Sequence, residues 1–161
     1  MRKLALPLLL TAACAPEDEE PVNFPDAHVD GEVIDNDGTS TELISGLAWT
    51  DGDYDSLVVA LTTYEVACST EGDAGDWLGG DSGLVVRLIV EGASAGGAVL
   101  RQSGGSLAEE ASVDHSLSLT SDPSQGDDAV DGSGNFLPGL GASTGWSGSA
   151  TFSVPWCGED H

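Results

Sequence analysis

Acidic side chains set on short turns are the residues of this chain whose type and spacing could hold an ion. Asp51-Gly52-Asp53-Tyr54-Asp55 places aspartates at alternate positions, Asp35-Asn36-Asp37-Gly38 gathers two more, and Asp127, Asp128 and Asp131 make a third group. Several carboxylate and carbonyl oxygens converging on one turn are what a hard cation such as calcium requires. The familiar twelve-residue calcium loop is excluded. Counted from Asp51, its sixth and twelfth places hold Ser56 and Thr62, where glycine and an acid are needed, and around Gly38 the first and last places hold Val33 and Ile44. Aspartate and glycine are also the residues that tight turns demand. Each cluster is therefore read as a hairpin or loop turn, with a weak structural calcium site as the alternative.

A second constellation is Gly80-Asp81-Ser82-Gly83, with His28 and His115 available as bases. It resembles the four residues around the nucleophile of chymotrypsin-like serine proteases, which implies a serine, histidine and aspartate triad. Three features oppose that implication. The next residue is Leu84 instead of glycine, the chain is too short for two barrels, and His115 follows the serine, leaving His28 close to the N-terminal segment. The residues then read as a turn feeding a strand at Leu84, and His115 as a histidine on a strand's buried face. Zinc-ligand spacing and a phosphate-cradling glycine loop followed by lysine are both missing from the sequence.

The N-terminus carries an address. Arg2 and Lys3 precede an apolar run from Leu4 to Leu10, and small residues Ala12 and Ala13 stand before Cys14, the three parts of an export signal. The run is far shorter than the roughly twenty apolar residues that span a bilayer. Leu10-Thr11-Ala12-Ala13-Cys14 resembles the lipobox of bacterial lipoproteins. That resemblance implies removal of residues 1–13, a diacylglyceryl thioether (palmitate-bearing) on Cys14, and, with alanine at position 15, delivery to the outer membrane. Ordinary cleavage after Ala13-Cys14-Ala15 is the rival reading, and Pro16 suits that peptidase poorly.

With Cys14 given to lipid, Cys68 and Cys157 remain, and an exported chain lives where disulfides persist. They are expected to pair, closing a loop worth about 4 to 5 kcal/mol in the chain-entropy picture. Removing the signal also removes two of the four basic residues, leaving Arg87 and Arg101 against 28 acids. Such a field repels nucleic acid and anionic lipid surfaces. Most of the acid is read as a solvated surface.

Residues 14–27 hold prolines at 16, 21 and 25 among five acids, the composition of an unstructured tether. Residues 28–161 make one domain of ordinary size. Within it the side chains alternate with a period of two, the mark of a half-buried strand. Ala111 to Thr120 sets Ala111, Val113, His115, Leu117 and Leu119 against Ser112, Asp114, Ser116, Ser118 and Thr120; Trp146 to Val154 does the same. Leu84 to Glu91 alternates with the contrast softened by Val85 and Ile89, and Ser56 to Thr63 is apolar on both faces, as in a central strand. Val29 to Ile34, Thr41 to Thr50 and Ala98 to Gln102 are weaker candidates. About seven short strands, with no helical period of useful length, predict an all-β fold, an antiparallel sandwich or a small β-barrel, stapled by one disulfide. Cys68 is expected to extend the Ser56 strand.

Ser69 to Gly83 is a long stretch without strand pattern that carries Trp77 among acids. An exposed tryptophan there could stack on a sugar; a buried one would plug the end of the domain, the reading preferred for so large an aromatic. The sequence thus points to a lipid-anchored envelope domain that binds a protein or glycan ligand or serves a structural role, with no cofactor. Calcium-dependent adhesion or carbohydrate binding, and a hydrolase with an unrecognised site, are the alternatives.

Overall fold

The computed structural model describes residues 23–52, 56–69, 72–80, 82–90, 96–121, 123, 127–140 and 145–160. Cys14 and the signal lie outside them. Nine strands follow in order: β1 (His28–Ile34), β2 (Ser40–Leu43), β3 (Ser45–Asp51), β4 (Ser56–Thr62), β5 (Ser82–Ile89), β6 (Gly97–Ser103), β7 (Ser106–Ser121), β8 (Ala129–Pro138) and β9 (Ser147–Asp160). A single helical turn, α1 (Ala74–Trp77), sits between β4 and β5.

The ladder closes on itself. It runs β2-β1-β9-β3-β4-β5-β6-β7-β8, and β8 pairs again with β9. Two long strands make the corners. The first part of β7 pairs with β6 and the rest with β8, while β9 pairs with β1 along Ser147 to Ser153, with β8 along Gly148 to Pro155 and with β3 from Trp156 onward. This gives a flattened barrel of two walls, so the sandwich and barrel descriptions meet in one object. The first wall is β2-β1-β9-β8 with the end of β7; the second is the end of β9 with β3, β4, β5, β6 and the start of β7. Every pairing is antiparallel apart from β3 with β9, which is parallel.

The enclosed core draws on both walls: Val33, Leu43, Ala48, Val59, Leu61, Val86, Val99, Val113, Phe136 and Phe152 are all buried in one cluster. Residues of the opposite parity in the second wall build another cluster on its outer side, from Leu47 and Trp49 through Val58, Ala60, Val85, Ala98 and Leu100. The segment between β4 and β5 covers that outer side with Ala74, Trp77 and Leu78. This explains why Ser56 to Thr63 is apolar on both faces and why Val85 and Ile89 blur their strand: each side of this wall is a core. Burying one such large side chain stabilises by about 1.5–3 kcal/mol.

Hydrogen bonds of Asp73 and Tyr64 order the cover internally, while those of Gln102 and Ser45 tie it to the wall along with one covalent bond. Asp73 caps α1, its carboxylate accepting from the Gly75 and Asp76 N–H groups at 3.0 and 3.2 Å. The Tyr64 hydroxyl donates to the Leu78 carbonyl at 2.8 Å, and the Gln102 amide donates to the Gly80 carbonyl at 2.8 Å. Val66 N–H donates to Ser45 Oγ at 3.3 Å. Cys68 and Cys157 are disulfide-bonded with Cα atoms 5.2 Å apart, as expected from the sequence. Cys68 does not extend β4, however. That strand ends at Thr62, where Thr62 Oγ1 donates to the Tyr64 carbonyl at 2.6 Å and turns the chain, so the staple joins the cover to β9.

Burial raises the Tyr64 phenol above its ordinary pKa of 10.0. A group that folding keeps neutral contributes stability that is complete below the unfolded pKa and is lost as pH rises through the folded one. Tyr64→Phe should cost about 1 kcal/mol at neutral pH through the lost hydrogen bond. It should also flatten the decline in stability above pH 10. Urea titrations of both proteins at neutral and alkaline pH would check this; parallel pH profiles would refute it.

Two further differences have plain causes. The Thr41 to Thr50 segment is two strands, because Ile44 steps out of line, 40% exposed, with its N–H bonded to the Thr62 carbonyl at 2.8 Å. Strand β8, unforeseen from the sequence, carries glycine at two of its inward positions, Gly132 and Gly134, between Val130 and Phe136. A Cβ on Gly132 would stand 2.9 Å from the Phe152 ring, and one on Gly134 would collide with Leu117. Neighbouring strands supply the bulk that this strand lacks.

Candidate functional site

Among the described residues, none covers the outer side of the first wall. Its residues are fixed by register, which lines up side chains from distant parts of the sequence. Asp30 lies opposite Thr151, Thr151 opposite Ser133 and Ser133 opposite Ser118; the adjacent row is Glu32, Ser149, Asn135 and Ser116. On β2, Glu42 stands directly opposite Glu32. Between the two rows run Gly31, Ala150, Gly134 and Leu117, cross-strand partners whose side-chain positions face the enclosed core. The two outward rows flank a shallow trough of about 610 Å³ lying across the strands.

The chemistry of this trough is uniform. Its rim is hydroxyl, amide and carboxylate, with no lysine or arginine among its lining residues. Among the described residues, the side chains of Ser116, Ser118, Ser133, Asn135, Ser149 and Thr151 form no hydrogen bond with protein groups, and Glu32 accepts one from Ser40. Beyond it a third row continues, His28 opposite Ser153 and Ser153 opposite Asp131. Hydrogen bonds from Ser153 and Ser121 hold the Asp131 carboxyl below its ordinary pKa, the Ser121 hydroxyl donating at 2.7 Å. The face is thus anionic at one end and hydroxylic along its length.

The residues singled out from the sequence are not brought together. Ser82 opens β5, opposite Ser103 on β6. His115 is half-buried on β7 with Nε2 2.9 Å from the Ile89 carbonyl and buried Nδ1 without a partner, and His28 is on β1. The triad arrangement is therefore not formed by these histidines: His115 meets β5 at Ile89, the opposite end of that strand from Ser82, and β1 does not neighbour β5.

Asp35 is a turn residue: its carboxylate accepts from the Asp37 and Thr39 N–H groups, each at 2.9 Å, and Gly38 takes a φ of 78° that favours glycine. Asp53 and Asp55 lie outside the described residues. Asp131, grouped above with Asp127 and Asp128 as a loop, belongs to β8. Among the described residues no three acidic, histidine or cysteine side chains converge closely enough to hold a metal ion. Trp77 is 8% exposed and faces the second wall, which removes it as a sugar platform. It closes a sheet face, where an end of the domain was expected.

Sequence reasoning missed the trough because each of its strands shows the ordinary polar half of an alternating pattern. The fold and site define a closed, disulfide-stapled β-domain with one covered and one open polar face. Comparisons of the chain with family models, with curated protein sequences and with solved structures find no match.

Proposed function

We propose that this protein is a lipid-anchored envelope domain with a non-enzymatic binding role, held at the outer membrane through Cys14 and meeting its ligand on the open face of the first wall. The observation that supports the binding face is the asymmetry of the two walls. One outer face is apolar and sealed by the chain itself; the other is a trough of hydroxyl, amide and carboxylate groups, most of them making no hydrogen bond with the protein. A sheet face needing only solubility carries long charged side chains, whereas this one carries mainly short hydroxyl and amide side chains on either side of a shallow trough. The tether leads into β1, so the trough at Asp30 to Glu32 begins two residues beyond the domain's first strand residue.

The anchor is tested by palmitate labelling and fractionation in a bacterial host. Cys14→Ser should abolish labelling and move the protein out of the membrane fraction; unchanged partitioning would overturn the lipid assignment. The non-enzymatic assignment fails if the purified protein turns over an ester, peptide or glycoside and loses that turnover on Ser82→Ala or His115→Ala.

A further inference from the structure

We infer that the trough on the first wall is the docking surface for an extended, cationic polypeptide segment, an inference that rests on the binding role proposed above. Three observations carry it. The first is shape. The trough crosses five strands, β2-β1-β9-β8-β7, and at about 4.8 Å per strand that is roughly 19 Å, the length of roughly six extended residues. The second is the row of free side chains. Serine and threonine hydroxyls and the Asn135 amide each offer both donors and acceptors, which is what the alternating N–H and C=O groups of an extended chain need.

The third is charge. Glu32 and Glu42 stand directly opposite each other on neighbouring strands, an arrangement that like-charge repulsion disfavours. Asp30 stands beside them in the trough, with no basic residue in the lining to offset the three. Across the chain, acids outnumber bases 28 to 4. A lysine, arginine or free amine placed at this end would relieve the repulsion, and the surrounding field would draw it in. The carboxylates are spread across two strands instead of converging, which suits an organic cation on a flexible stem better than a compact metal ion.

The test is a titration of the purified full chain, disulfide intact, followed by backbone amide NMR. The probes are hexalysine, fully side-chain-acetylated hexalysine, calcium ions and maltohexaose. Hexalysine should shift amides at residues 30–32, 133–135 and 149–151, and acetylation should weaken it at least tenfold. The variant Asp30→Asn/Glu32→Gln/Glu42→Gln should weaken hexalysine at least tenfold with melting retained. Glu65→Gln/Asp76→Asn/Glu109→Gln, which removes as much charge elsewhere, should weaken it less than twofold. Equal weakening by both variants would overturn the inference, since diffuse attraction would then explain the binding. So would hexalysine shifts absent from the trough. If calcium or maltohexaose shifts the trough and hexalysine does not, the cationic ligand is wrong and the binding face stands. If no probe shifts it, the inference fails and the proposed binding face loses its support with these ligand classes.

Discussion

Cys157→Ser, made alone so that Cys68 is left as a free thiol, should lower the unfolding free energy by about 3 to 5 kcal/mol and loosen the cover over the second wall. The first number follows from the loop. The bridge joins residues 89 apart, and constraining an unfolded chain of that span is worth about 4.6 kcal/mol in the chain-entropy picture, with strain and residual structure lowering the yield. The second follows from where the bridge sits. Cys68 lies in the covering segment and Cys157 on β9, both packed against the outer cluster that contains Trp49 and Trp77. The side-chain hydrogen bonds that tie the cover to the wall at Gly80 and Val66 are single ones involving Gln102 and Ser45, each worth about 1 kcal/mol net.

Loss of the bridge should therefore appear as a lower urea midpoint and as a red-shifted tryptophan emission below that midpoint, as Trp77 and Trp49 meet water. Reduction of the native protein should reproduce both. A lowered midpoint without the early emission change would mean that the bridge acts through the unfolded chain and that the cover stands without it. An unchanged midpoint would remove the disulfide from the stability argument altogether.

The parts of this fold that could be read in the sequence are those where one strand face is buried and the other wet. In β7, Val113, His115, Leu117 and Leu119 point inward and the serines between them outward, and in β9 Ala150, Phe152 and Val154 do the same. The period of two survives because a single core claims every second residue. Where two cores claim both faces, as in β4 and β5, the pattern turns into a continuous apolar run, and the covering segment is the missing explanation. Strand β8 was illegible for the opposite reason. Its inward places at Gly132 and Gly134 are filled by Phe152 and Leu117 from neighbouring strands, so hydrophobicity is absent from the residues that face the core.

The trough belongs to a third category. Asp30 and Thr151 are cross-strand partners, yet more than a hundred positions separate them in the chain. Thr151 in isolation is a solvated hydroxyl on an outward position. Its place beside an acid and two serines arises from the pairing of β1, β9 and β8, and no local spacing encodes that. The cysteine pairing was legible because elimination left two candidates, whereas Cys68's place on the cover was not. Thr62 and Tyr64 turn the chain there through a hydrogen bond that has no pattern in sequence.

The register of β8 underlies the whole face, and two adjacent substitutions test it. Phe136 is 1% exposed inside the barrel, and Leu137, next to it, is 62% exposed. Phe136→Ala should cost about 3 to 5 kcal/mol, the transfer of a buried ring plus the cavity it leaves. The cavity should not collapse readily, because the ring lies against Gly148 on β9, where no side chain exists to swing into the space. Leu137→Ala should stay within about 0.5 kcal/mol, as surface changes usually do. In a strand the two faces alternate, so a slip of one residue would exchange these outcomes and would carry Ser133 and Asn135 off the trough into the core. Urea midpoints of the two variants measured side by side decide the matter. A large loss at Phe136 with none at Leu137 fixes the parity of β8 and with it the outward row that runs from Asp30 through Thr151 and Ser133 to Ser118; comparable losses at both would mean that β8 does not alternate and that the trough is not built as described.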